Sequence, residues 1–394
     1  MVEVPMVEAH APGPDVVARA AALRDELASH RDEGERERRL PDAAVEALEG
    51  AGLFHAWVPR RFGGAELSLR TMVDATVEVT KGDASAGWLV MILGCGDWLT
   101  GLFPDKAQQE VFGPDPDTKV CQVLAPKGTA RRVEGGWLVS GRWAPASGCL
   151  HAEWAMVGVS LPAEGAAFVL VPMRDLTVED TWFTLGMRAT GSNMLVGEDV
   201  FVPDHRVVLR GPATRGEFPT TENDSPRFRA ALVPTLATFL IAPMLGMAER
   251  ALEHVVGQAG RRGIAFTSYQ HQLDSTGFQV AVAEAATKVD VARLVAHGSA
   301  DAVDGHAHAG THPGLLERAR LRQRSSHAVQ QCREAVDLLV NAYGAAALSE
   351  RDPLHAVVRD IQTASRHALA HPPSNAEVFG RALLGVDPGI TEMV

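Results

Sequence analysis

The chain has 394 residues and a formal net charge of −12, from 37 Lys plus Arg against 49 Asp plus Glu. Hydrophobic residues make up 46% and charged ones 22%, enough to bury a core, which excludes disorder. The acidic balance, with no basic block able to track a phosphate backbone, argues against a nucleic-acid partner.

At roughly 150 residues per domain the length allows two or three domains. The start, Met1 to Pro5, lacks the basic region and apolar core of a signal peptide. Cys95, Cys121, Cys149 and Cys332 lie far apart with no C-x-x-C pair, as expected of free thiols in a reducing cytoplasm. Pro41 and Asp42 open a short helix that Gly52 closes. Met72, Val73, Thr76, Val77 and Thr80 then recur at helical spacing, and Ala86 to Phe103 is apolar all round, a pattern of complete burial.

The period changes after residue 115. Short β-rich runs at Val120 to Leu124, Trp137 to Val139, Trp154 to Val159, Ala167 to Val171 and Met194 to Val202 are separated by Gly, Pro and Asp. Gly135-Gly136 marks a hairpin, and the regular spacing predicts an antiparallel β unit. Beyond the Pro- and Asp-rich stretch at Pro219 to Pro226, helical spacing returns over 230–259, 278–300, 315–343 and 357–370, a bundle pattern. Within it, Ala230 to Ala248 carries no charge and has about the length of a membrane span. Pro234 and Pro243 interrupt the run, charges flank it and it stands alone, so it reads as a core helix and no membrane partner is expected.

Few familiar chemical motifs occur. Gly94-Cys95-Gly96 lacks the third glycine of a dinucleotide fingerprint, since Leu99 stands there, and no phosphate loop or Gly-x-Ser-x-Gly occurs. His306, His308 and His312 form a loose cluster that reads as a connection between helices, so no metal is expected. Two segments say more. In Ser140 to Cys149 a strand carrying Trp143 turns at Ser147-Gly148; in Leu185 to Asn193, Arg188, Thr190 and Ser192 precede a strand. On local chemistry alone the first is a β-turn and the second a hydrogen-bonded turn.

With Ala51-Gly-Leu-Phe54, Val58 to Gly64, Asp97-Trp98 through Pro104, Val200 to His205, Tyr343-Gly344, Arg359-Asp360 and Gly380 to Gly385, these segments resemble the signatures of the acyl-CoA dehydrogenase fold. More narrowly, they resemble its oxygen-using branch, the two-component flavin-dependent monooxygenases. The resemblance covers nearly the whole chain; each motif alone is weak. It implies an α+β architecture: a helical N-terminal domain (1–115), an antiparallel, β-barrel-like middle domain (116–220) and a C-terminal four-helix bundle (221–394), assembled as a homotetramer. Flavin would lie in the groove between the sheet and the helices.

Residue roles follow from the resemblance. Ser147 would hydrogen-bond the flavin N5 edge, Trp143 would pack near the isoalloxazine, and Arg188, Thr190 and Ser192 would line its other side or its phosphate tail. His367 matches the active-site His of these monooxygenases, where imidazole can take a phenol proton or hydrogen-bond the oxygenated flavin. Arg261 and Arg262 match the pyrophosphate position without the Phe-Gly pair of FAD-using dehydrogenases, which favours reduced FMN while leaving FAD open. Many relatives place a His where Gly96 stands, so Gly96, Asp97 and Trp98 are expected in the substrate pocket, with the glycine opening space there. The implied reaction takes reduced flavin from a separate NAD(P)H:flavin reductase, forms a C4a-hydroperoxide with O2, and hydroxylates a small organic substrate, expected to be aromatic, in the cytoplasm. Relatives often tailor aromatic natural products. An acyl-CoA dehydrogenase remains the alternative. It needs a carboxylate base, yet none follows Arg359-Asp360 until Glu377, which leaves Glu222 at the start of the C-terminal domain.

Overall fold

The computed structural model describes residues 14–387 and 389–394; the Met1 to Pro5 start lies outside them. Helices come first: α1 (Pro14–Ala22), α2 (Arg24–Ser29), α3 (Arg31–Glu37), α4 (Asp42–Gly50), α5 (Leu69–Gly82), α6 (Ala84–Thr100) and α7 (Asp105–Phe112). Side-chain caps start the two long ones. Ser68 Oγ accepts the Thr71 N–H at 3.0 Å for α5, and Asp83 Oδ1 accepts the Ala86 N–H at 2.8 Å for α6. Helix α6 is buried along nearly its whole length, as its uniform apolarity requires. Two of its glycines are packing contacts. A Cβ on Gly87 would overlap Thr80 of α5, and one on Gly96 would overlap the Val120 carbonyl.

Seven strands follow: β1 (Val120–Val133), β2 (Gly136–Ala146), β3 (Trp154–Leu161), β4 (Gly165–Pro172), β5 (Thr177–Glu179), β6 (Asn193–Pro203) and β7 (Val207–Leu209). They form one sheet in the order β5-β6-β2-β1-β3-β4-β7. The β1–β2 hairpin turns at Gly135, whose φ of 73° suits glycine. The sheet is mixed rather than antiparallel, because β1 and β3 run parallel. After β2 the chain crosses the end of β1 through residues 147–153 and enters β3 on the far side, where the Glu153 and Trp154 N–H groups bond the Lys119 carbonyl. A hydrophobic pattern marks strands but not which neighbour each will take. That crossing sets the Ser147 turn beside α6.

Short α8 (Arg210–Thr214) leads to α9 (Leu232–Phe239), α10 (Ile241–Gln258), α11 (Thr276–Ala309), α12 (Leu315–Tyr343), α13 (Pro353–Ala364) and α14 (Pro372–Leu383). The expected helix over 230–259 is divided at Leu240, and Pro243 falls in the first turn of α10, where a missing N–H costs little. Leu232 to Gln258 is long and apolar enough to cross a membrane, but its apolar 18-residue window is wholly buried inside the protein. Helices α10, α11, α12 and α13 pack together, and α5 lies against α10 and α11. Lys81 on α5 bonds Glu249 on α10 at 2.7 Å, and Arg227 bonds Asp304 on α11 at 3.0 Å. His306 and His308 belong to the last turns of α11 rather than to a connection, and His306 pairs with Glu317 at 3.1 Å. Among the described residues, no group of His, Cys, Asp or Glu is arranged to hold a metal ion.

Candidate active site

Three separate segments meet at the indole of Trp88. It projects from the second turn of α6 and donates Nε1–H to Ser147 Oγ at 3.1 Å. Its ring also meets the His367 imidazole nearly edge-on, with centroids 5.8 Å apart and planes at 66°. Ser147 occupies the turn leaving β2, where Gly148 takes a φ of 77° and donates its N–H to the Thr190 carbonyl at 3.0 Å. His367 follows α13. These contacts join helix α6, the sheet and the C-terminal helices.

The Thr190 loop is held as firmly. Met187 and Gly191 both take left-handed backbone conformations (φ 55° and 54°), and a Cβ on Gly191 would lie 2.9 Å from Leu150. Asp360 Oδ1, on α13, accepts the Met187 N–H at 2.6 Å. Burial pushes this carboxyl up to about 7, and the Met187 hydrogen bond opposes the rise. Within the loop, Thr190 Oγ1 donates to the Met187 carbonyl at 2.8 Å. The Thr190 and Ser192 hydroxyls lie 2.6 Å apart, and those of Ser192 and Ser147 2.7 Å apart.

His367 Nδ1 accepts the Leu369 N–H at 3.3 Å as the cap of a short 3-10 turn. Desolvation of its ring pushes the imidazole pKa down to about 4. The ring is therefore neutral at physiological pH. With Nδ1 accepting, the proton is on Nε2, so the side chain offers a donor rather than a base.

The structure redistributes several expected site residues. Trp143 does not face the site: it is wholly buried within the sheet, donates to the Gly158 carbonyl at 2.8 Å, and fills space left by Gly128 and Gly141. Its position in the register of β2 turns the ring inward. Arg188 bonds the backbone carbonyls of Glu35 (3.1 Å) and Thr184 (3.3 Å), so it ties the loop to α3. Arg262 stacks 4.2 Å from the Tyr343 ring centroid, while neighbouring Arg261 is exposed; neither contacts Ser147 or His367. Thr190 and Ser192 do join Ser147.

The expectation that Gly96 opens a pocket is overturned, since the space beside its Cα is filled by the Val120 backbone. Asp97 is fully buried, with both carboxylate oxygens lacking a partner among the described residues, and burial raises its pKa well above the ordinary value. Trp98 donates to the Arg227 carbonyl at 2.9 Å and packs at 6.1 Å against Trp57 beneath the Arg227 guanidinium. These contacts make Trp98 part of a core. Glu222 is exposed near Arg60 and Arg61.

Sequence reasoning missed Trp88 and Gln122. The former carries no motif, being one apolar residue in an apolar helix. Gln122 Nε2 donates to the Ile92 carbonyl, one turn beyond Trp88, and its buried Oε1 lacks a partner among the described residues. An orphaned buried acceptor costs free energy unless a ligand meets it. A ligand N–H would satisfy this acceptor, as another would the Ser147 hydroxyl, and a flavin carries such groups.

Known proteins share this arrangement of chain. The family model for the acyl-CoA dehydrogenase N-terminal domain matches residues 17–115, and the one for the C-terminal domain matches 238–372. The oxygenase subunit HsaA of a flavin-dependent monooxygenase from Mycobacterium tuberculosis is 33% identical over 384 residues, covering 95% of this chain and 97% of that protein. The oxygenase component of an FADH2-dependent resorcinol hydroxylase from Rhizobium sp. is 32% identical, covering 96% and 98%. The solved structure of XiaF from Streptomyces sp., in complex with FADH2 and glycerol, superposes with a TM-score of 0.90 at 36% identity, covering 95% and 96%.

Proposed function

The chain belongs to the acyl-CoA dehydrogenase family, among the oxygenase components of two-component flavin-dependent monooxygenases, and on that premise we propose a hydroxylase of electron-rich aromatic substrates whose reaction centre is the Trp88–Ser147–His367 cluster. The observation that carries this reading is the meeting of a hydroxyl and a neutral imidazole on one indole, supplied by three separate segments.

Reduced flavin, delivered by a separate reductase, supplies the electrons that activate O2 and the oxygen transfer itself. This chain's residues do the rest. Ser147 hydrogen-bonds the N5 edge, fixed by Trp88 and by the Thr190–Ser192 loop. Gln122 Oε1 accepts from an N–H or O–H of flavin or substrate. His367 donates Nε2–H to an oxygen atom at the reaction centre, aligned by its Leu369 contact. The apolar walls of α6 and the sheet exclude water, which protects the oxygenating species from wasteful breakdown. An acyl-CoA dehydrogenase would need a carboxylate base there; exposed Glu222 does not provide one.

We further propose a homotetramer acting in the cytoplasm, with the helix-to-strand changes supporting the divisions 1–115, 116–220 and 221–394. Apolar side chains left exposed on α11, Val280 and Leu294, support association. Light scattering tests it: the expected mass is four times the 42.1 kDa chain. The function itself is tested by mixing the protein with FMNH2 or FADH2, O2 and a panel of phenols and indoles. Hydroxylated product with little H2O2 supports the reading. Reduction of bound oxidised flavin by acyl thioesters, without oxygenation, overturns it.

A further inference from the structure

The hydroxyls behind Ser147 have only one consistent set of proton directions. A carbonyl oxygen can only accept, so Thr190 spends its single proton on Met187. In the 2.6 Å contact with Thr190, Ser192 must therefore be the donor. Ser192's proton being spent, Ser147 must donate across the 2.7 Å contact between them. The indole N–H of Trp88 can only donate, and it occupies one Ser147 lone pair. One lone pair remains on Ser147. The chain runs inward from Ser147, 8% exposed, to Ser192 and Thr190, each 2% exposed, so that lone pair belongs to its outermost member.

We propose that this directional chain, anchored at the Met187 carbonyl, makes Ser147 an obligate hydrogen-bond acceptor toward its ligand and so selects reduced over oxidised flavin. The inference rests on the placement of flavin against Ser147 given above. Reduced flavin carries a hydrogen on N5 that the lone pair can accept. Oxidised flavin offers only a lone pair there, so two acceptors would face each other in a desolvated site. Selection of this kind promotes capture of the flavin that the reductase supplies and release of the oxidised product.

Fluorescence quenching measures Kd for oxidised FMN and FAD, and anaerobic titration measures it for their reduced forms. The bound-flavin midpoint potential gives the same ratio, with tenfold equal to about 30 mV for two electrons. Removing the anchor by Thr190→Val, or the middle link by Ser192→Ala, frees the Ser147 proton to turn outward. Each should lower the oxidised-to-reduced Kd ratio about tenfold, chiefly by tighter binding of oxidised flavin. Thr190→Ser keeps the Met187 bond and should retain the wild-type ratio. If Ser147→Ala weakens reduced flavin while both relay variants, folded by circular dichroism, leave the ratio unchanged, the selection mechanism is overturned. If Ser147→Ala changes neither affinity, the flavin placement fails and takes the proposal with it.

Discussion

The Asp360 carboxylate, on α13, accepts the backbone N–H of Met187 at 2.6 Å and so holds the loop that aligns Ser147. Met187 has a left-handed backbone, φ 55°, that a non-glycine residue adopts at a cost. Its N–H is buried, so Asp360→Ala should destabilise the fold by about 1–3 kcal/mol, the penalty for an unmet buried donor. Chemical denaturation checks this.

The same carboxyl carries a pH dependence. Its folded-state pKa of about 7 exceeds the ordinary aspartate value of 3.8, so the folded chain binds more protons between those values. Its contribution to stability is fully present at low pH and is lost as pH rises through about 7. Relative to Asp360→Asn, the wild type should lose about 2 kcal/mol between pH 5 and 8. Denaturation at the two pH values reads the difference; an equal slope in both proteins would refute it.

His367 has the opposite sign. Its pKa lies below 6.5, at about 4, so the folded protein refuses a proton that the unfolded chain takes up. Its contribution is present above pH 6.5 and is lost as pH falls toward 4. The imidazole resonances should not titrate between pH 8 and 5, and a transition near 6.5 by NMR would contradict the donor role. His367→Ala should lower hydroxylation by about a hundredfold, as for a lost oxygen-directed donor, whereas His367→Gln, which keeps an N–H, should lose less.

Gly96→His should fail to improve or redirect substrate binding, because its Cβ overlaps the Val120 carbonyl. Even Gly96→Ala should cost at least about 2 kcal/mol through overpacking. Thermal melting and soluble yield measure this. A His variant of full stability with altered Km would restore the pocket reading.

Trp143→Phe should destabilise the sheet by about 1–2 kcal/mol, since it strands the buried Gly158 carbonyl. Its flavin Kd should match the wild type. Trp88→Phe should instead leave melting nearly unchanged while raising the H2O2 released per O2 consumed, because Ser147 loses its only indole donor.

Much of the architecture was written locally. The proline and aspartate at residues 41–42 and the change of hydrophobic period after residue 115 each announce their element within a few residues. Pairing was less legible. The parallel β1–β3 contact depends on where the chain goes after Ser147, and short β5 and β7 leave almost no pattern. At the site, Ser147, Thr190 and Ser192 stood out as hydroxyls at turns. Trp143 and Trp88 are both nearly buried, so composition could not tell which ring meets the reaction centre; the strand register and helix rotation decide it. A glycine in a helix reads equally as a vacancy or as a contact, and Gly96 is a contact.

Gly87 and Gly96 are nine residues apart on α6, and at about 100° per residue they face opposite sides of the helix. One is keyed to Thr80 on α5 and the other to the Val120 backbone on β1. The helix is thereby locked against rotation like a shaft in two keyways, with Trp88 as the cam beside the first. Inserting or deleting one residue between the glycines would turn one key by about 100° and free the other to slip. The length of this helix, more than the identity of its apolar residues, is what directs the indole toward Ser147.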